Sequence, residues 1–218
     1  MKQLLLLAAA CCIITFAKAQ ITKGSIMIGG SFGYNYSDQK TTDTTPNYSS
    51  GTTNGFNIGI SYGKCFKENA FWGITASFSY TDNKNIYSFN SSNNNSSQTR
   101  NYYLGIFERK YYPLITNLYV FGQAGFGYSY YSNDGTYVNI NRKGYDIGLY
   151  VYPGISYKVS KKIYLESSLR NLVNLDFNHS EQTYLTQTTS SNNFTSNIQL
   201  PTQILQNLNV GMTIIIGK

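Results

Sequence analysis

Cysteine, proline, histidine and charge are all scarce in this chain of 218 residues, which has three Cys, four Pro, one Trp, one His and only 12% charged residues. So little charge, with 16% aromatics, is unlike a disordered chain or an ordinary soluble helical domain. Outside its N-terminal segment the chain has no run of about 20 apolar residues, the length a spanning helix needs. The mean hydropathy of −0.29 excludes a helical membrane protein on the same ground. A single histidine, His179, builds no His-rich metal site, and no helix follows the glycine pairs to make a phosphate loop. No cofactor is expected. What the chain has instead is 21 Tyr, 12 Phe and 19 Gly.

Residues 1–19 read as a secretory signal peptide. Lys2 supplies a positive start, Leu4 to Phe16 an apolar stretch, and Ala17-Lys18-Ala19 a small-x-small cleavage site, so the mature chain starts at Gln20. An alternative makes Cys11 a lipidated first residue, but Cys12 to Phe16 continue the apolar stretch where a polar tether belongs. Cleavage after Ala19 leaves Cys65 alone, so no intramolecular disulfide forms. The net charge falls from +7 to +5, with 15 Lys and Arg against 10 Asp and Glu. That charge is spread thinly, with no basic stripe and interleaved aromatics, so a nucleic-acid partner is not expected.

Residues 20–218 are dominated by a period of two. Ile26, Ile28, Phe32, Tyr34 and Tyr36 occupy one parity, and Ser25, Gly29, Ser31, Gly33 and Asn35 the other. This is a strand with one apolar and one small or polar face. The pattern recurs at 56–63, 72–80, 118–130, 146–157, 163–174 and 207–216. In Arg100 to Pro113 either Leu104/Ile106 or Tyr103/Phe107/Tyr111 could be the apolar face. Eight strands result. Between them, long Asn/Ser/Thr-rich loops (37–53, 81–99, 132–144 and 176–202) alternate with short joins at 67–69, 113–117 and 159–161.

That arrangement predicts an all-β fold, an eight-stranded antiparallel up-and-down transmembrane β-barrel. Each strand meets the roughly 9 to 11 residues needed to cross a bilayer at a tilt. A soluble barrel also alternates, but its outer face carries charge. Here the non-apolar parity is Gly, Ser, Asn and Thr, which suits a polar lumen, and the apolar face then meets lipid.

Several stretches resemble the family of small outer-membrane β-barrel domains of Gram-negative bacteria, of the type common in Bacteroidota. They are Gly105-Ile106-Phe107-Glu108-Arg109-Lys110-Tyr111-Tyr112 with Pro113-Leu114, Phe121-Gly122-Gln123-Ala124-Gly125-Phe126-Gly127-Tyr128, and Tyr152-Pro153-Gly154-Ile155-Ser156-Tyr157. The resemblance implies residence in the bacterial cell outer membrane, with outer-membrane lipids and the outer-membrane assembly machinery as partners. One departure is the ending Ile214-Ile215-Ile216-Gly217-Lys218, where such barrels often finish on an aromatic residue.

Tyrosines near strand ends read as headgroup-level girdles: Tyr34, Tyr36, Tyr80, Tyr128 and Tyr130 at the loop ends, and Phe66, Trp72, Tyr112, Tyr119 and Tyr157 at the turn ends. Chemistry-bearing residues are few. Glu166 and Arg170 share the lumen parity of one strand, and Gln123 and Asp146 that of others, so a structural polar network is expected. Glu166 and Arg170 stand about 13 Å apart along their strand and need partners elsewhere. Arg109 and Asp146 fit by parity, provided Leu104 and Ile106 face lipid. His179, Ser180 and Glu181 are the one set worth weighing as a hydrolase, but adjacent residues on an extended chain point to opposite faces. The expected role is structural or surface-interacting and not enzymatic, with long loops suited to carbohydrate or protein ligands or to plain hydration. A small-solute or lipid-handling barrel is the alternative.

Overall fold

The computed structural model describes residues 20–42, 48–87, 95–135, 140–169, 172–184, 187–198 and 208–217. The leader, with Ala17 and Ala19 of its cleavage site, and Arg170 of the expected network lie outside the described residues. Ten strands follow in order: β1 Ile26–Thr42, β2 Tyr48–Lys67, β3 Ala70–Tyr87, β4 Asn95–Ile115, β5 Leu118–Gly135, β6 Ile140–Lys158, β7 Ile163–Leu169, β8 Val173–Tyr184, β9 Gln187–Ile198 and β10 Leu208–Ile216.

Neighbours pair antiparallel from β1 through β6; β6 then pairs β7, β7 pairs β10, and β10 returns to β1 through Ile26↔Ile216 to Gly30↔Met212. The wall is a closed eight-stranded antiparallel barrel, which leaves no edge in that circuit to hydrogen-bond with lipid. Above β7, β8 takes its place beside β6, from Val151↔Val173 to Ile140↔Tyr184, and β9 folds back on β8. Ser168 and Val173, five positions apart in sequence, pair with Gly154 and Val151, which are three positions apart. Pro153, which has no N–H to give, falls in that interval.

Two expectations are corrected here. The four long polar loops are largely strand: β1 runs to Thr42, β2 starts at Tyr48, and β8 and β9 make a hairpin inside 176–202. Apolar periodicity is needed to pick a buried face, whereas pairing needs only backbone groups and compatible cross-strand neighbours. Those neighbours are present: Thr53 Oγ1 donates to Asn83 Oδ1 at 2.8 Å, and Asn133 Nδ2 to Thr99 Oγ1 at 2.7 Å. At 21 residues, β4 is about twice the length a bilayer requires, so the wall continues beyond the membrane.

The second correction concerns the lumen. Its loop-side half is polar as expected, but its turn-side half is an aromatic core of Met27, Cys65, Phe71, Phe107, Tyr111, Tyr119, Phe121, Tyr164 and Ile215, with Ile21 packed beneath. Tyr119, expected in the girdle, is buried in this core and sits edge-on to Tyr111 at 6.1 Å. The interior of eight strands is just wide enough for side chains to fill. Near the turns both parities are therefore apolar, as in Phe71-Trp72 and Tyr111-Tyr112, one ring inside and the next outside. The segment before β1 closes this end. Asn69 Oδ1 accepts from Ile21 N at 2.7 Å, while its own N–H donates to Ile21 O at 3.0 Å. Asn69, with φ of 60°, makes the tight turn between β2 and β3.

The outside is the reverse of a soluble surface. Ile60 is 65% exposed and Leu104 61%, in a continuous face with Ile28, Phe32, Ile58, Ile74, Ile106, Leu149 and Val210. Leu104 and Ile106 thereby settle the ambiguous strand, since Phe107, Arg109 and Tyr111 face in. An apolar belt around the whole barrel is far larger than water tolerates.

Candidate functional site

Immediately above the aromatic core lies one polar layer. Arg109 on β4 stands opposite Gln123 on β5, and Glu166 on β7 opposite Ser156 on β6 and Gly211 on β10. Arg109 reaches across the lumen to Glu166. Its Nη1 donates to Glu166 Oε2 at 2.7 Å and to Tyr111 Oη at 3.1 Å, and its Nε donates to Gln123 Oε1 at 2.7 Å. Glu166 is saturated on both oxygens: Tyr111 Oη donates to Oε1 at 2.6 Å, Thr213 Oγ1 to Oε2 at 2.9 Å, and Ser156 Oγ to Oε1 at 3.4 Å. The guanidinium also lies 4.5 Å from the centre of the Phe121 ring. Both charged side chains are only 9% exposed. Charges taken out of water are costly unless paired and fully hydrogen-bonded, and this layer meets both conditions.

Of the residues singled out from the sequence, the structure brings Arg109, Gln123 and Glu166 into contact and sets Asp146 apart. Asp146 accepts from Ser129 Oγ at 3.0 Å and from Asn178 Nδ2, three inner positions nearer the mouth than Gln123 and its partner Tyr152. Tyr111, Thr213 and Ser156 were not part of the expected network. Their inner parity was readable, but their convergence on one carboxylate depends on barrel closure, which joins β10 to β7.

Above the polar layer the lumen opens into a cavity of about 370 Å³ facing the loops. Its floor is Arg109, Gln123 and Glu166. One wall is aromatic. Tyr150 and Tyr152 stack at 5.7 Å, and Gln123 Nε2 donates to Tyr150 Oη at 3.4 Å. Glycine is required behind these rings: a Cβ on Gly125 would meet the ring of Tyr150, and one on Gly127 the ring of Tyr103. The opposite wall is Gly29, Ser31, Gly59, Ser61, Thr75 and Ser77. Asp146 and Asp176 complete the lining toward the mouth, with Asp176 leaning over Gly148.

The His179 set does not converge. His179 faces outward, stacked on Tyr145 at 5.1 Å, with Nδ1 2.7 Å from Asn192 Oδ1. Ser180 faces inward onto Ser191. Above the aromatic band at Tyr130 and Tyr145, Lys143 approaches Glu181 to 3.2 Å, and its hydrogen bond and charge hold that carboxyl below the usual range. Cys65 is buried and donates to Lys67 O.

A family model described as the outer membrane protein beta-barrel domain matches residues 4–200. Among solved structures, the outer membrane protein OprG from Pseudomonas aeruginosa aligns with a TM-score of 0.52 at 10% identity, covering 90% of this chain and 98% of that one. A major outer membrane protein from Thermus thermophilus aligns at 0.49 and 10% identity, covering 88% and 99%. No curated protein matches the chain.

Proposed function

Because the chain belongs to the outer membrane protein beta-barrel domain family and resides in the bacterial outer membrane, we propose that it is a non-conducting barrel whose work is done at its loop-side surface. The observation that carries this reading is the Arg109–Glu166 bridge spanning the lumen directly above an aromatic core. Rings and a fully hydrogen-bonded ion pair below the cavity support a barrel closed to water at its turn end. Strands that outrun the bilayer and the polar β8–β9 hairpin then serve as a surface for carbohydrate or protein ligands. The proposal includes export by the leader, cleavage before Gln20, insertion by the outer-membrane assembly machinery, and a source of the Bacteroidota type. The Lys-rich turn end, with Lys64, Lys67, Lys110, Lys158, Lys161 and Lys162, faces the periplasm.

A second reading, a barrel that handles small solutes, is favoured by the cavity above the bridge. Planar-bilayer recording separates the two. Purified folded protein is expected to insert without unitary conductance steps, and steps from the unmodified chain would overturn the plugged reading.

A further inference from the structure

The cavity has a composition that selects a ligand. It is closed below, open toward the loops, and at about 370 Å³ falls within the usual range for small-molecule pockets. Of its four charged lining residues, Arg109 and Glu166 neutralise one another in the floor. The other two, Asp146 and Asp176, are both acids, and no lysine or further arginine lines the cavity among the described residues. Their partners are neutral. Asp146 holds Ser129 and Asn178, and Asp176 faces Gly148 across the β6–β8 ladder.

The acids sit over an aromatic surface. Along β6 the inner positions run Asp146, Gly148, Tyr150, Tyr152, so Asp176, opposite Gly148, is one inner step above the stacked tyrosine pair. A step of two residues is about 7 Å. The hydroxyl-bearing ends of Tyr103 and Tyr150 lie over the bare backbone of Gly127 and Gly125, and both residues line the cavity. Ring faces are electron-rich and attract cations, and carboxylates just above them add a full negative charge.

We infer that this cup binds a small organic cation, an alkylammonium or quaternary ammonium compound, with the charged head between the tyrosine faces and the Asp146/Asp176 pair. Neutral sugars would use the same rings but draw nothing from two carboxylates that have no cationic partner among the described residues. Inorganic cations would use the carboxylates but gain little from the rings. An organic ammonium uses both. The inference rests on the lumen being closed below the cup, as proposed above.

The test is calorimetric titration of the full-length folded barrel in a nonionic polyoxyethylene detergent, with choline as probe and its neutral isostere 3,3-dimethyl-1-butanol as control. Choline is expected to bind at least about tenfold more tightly than the alcohol. Asp176→Asn and Tyr150→Leu are each expected to weaken choline by about tenfold while the barrel stays heat-modifiable on a gel. Asp146→Asn provides a second variant should Asp176→Asn fail to fold. Equal binding of choline and the alcohol, absence of choline binding, or choline binding unchanged in folded Asp176→Asn or Asp146→Asn would overturn the inference. A barrel that conducts yet binds choline overturns only the plugged reading; a silent barrel that ignores choline overturns only this one.

Discussion

Arg109 on β4 and Glu166 on β7 meet at 2.7 Å across the lumen, three strands apart around the wall, with Tyr111 bridging both. Four donors converge on the Glu166 carboxylate, so one group ties β4, β6, β7 and β10 together.

Glu166→Gln replaces one of those acceptor oxygens with a donor and leaves the Arg109 charge unpaired. A loss of about 3 to 5 kcal/mol is expected, as for other broken buried pairs. The denaturant midpoint in lipid vesicles reads it. Adding Arg109→Gln should return part of the loss, because the uncompensated charge is then gone. A midpoint equal to the parent's in Glu166→Gln would remove the bridge from the account.

The outer face is tested by charge. Leu149→Arg and Ile60→Arg place a cation in lipid and should cost about 2 to 4 kcal/mol near the bilayer midplane. Folding yield into vesicles, followed as the gel shift between boiled and unboiled samples, reports the cost. Ser61→Arg, one residue from Ile60, acts on the inside, where Ser61 already fills the space beside Gly29.

Gly127 carries the ring of Tyr103 on its bare backbone. Gly127→Ala should destabilise by about 1 to 3 kcal/mol through overpacking. Combining it with Tyr103→Ser should recover most of that loss, whereas Tyr103→Ser alone should be mild. Four unfolding curves, the parent's and those of the three variants, make the comparison.

Much of the barrel is legible in the sequence. Period-two alternation fixes which side chains face lipid, because a one-residue slip would turn every apolar residue inward. The pairing of Glu166 with an inner cation followed from the same parity. The hairpin β8–β9 was not legible, since its Ser/Thr/Asn neighbours, such as Ser180 with Ser191 and Thr183 with Thr188, pair without a hydrophobic face. The aromatic core was hidden for the opposite reason. Where Tyr111 and Tyr112 or Phe71 and Trp72 are adjacent, both parities are apolar and alternation carries no signal. The tyrosine wall of the cup was missed because Tyr150 and Tyr152 occupy inner positions in a segment where Ile147, Leu149 and Val151 dominate the pattern.

The hairpin yields a further expectation. Ser180 and Ser191 are register partners, so replacing Glu181 to Ser190 by Asn-Gly closes β8 and β9 with a two-residue turn. That variant should remain a heat-modifiable barrel, because the Lys143–Glu181 pair lost with Glu181 is exposed and such pairs contribute little. A deletion reaching Val173 removes the rungs to Tyr150 and Val151 in the wall and should abolish the folded band. An epitope at Ser190 should be reached by antibody on intact cells.

The most direct test of the account is spin-label accessibility along β2 from Asn57 to Tyr62, with Cys65 changed to Ser and the barrel reconstituted in vesicles. Labels at Ile58, Ile60 and Tyr62 are expected to relax with lipid-dissolved oxygen and to ignore a water-soluble nickel chelate, while those at Asn57, Gly59 and Ser61 escape oxygen. An accessibility pattern of the opposite phase, or one without a period of two, would contradict a barrel with its apolar face in lipid and its polar layer inside.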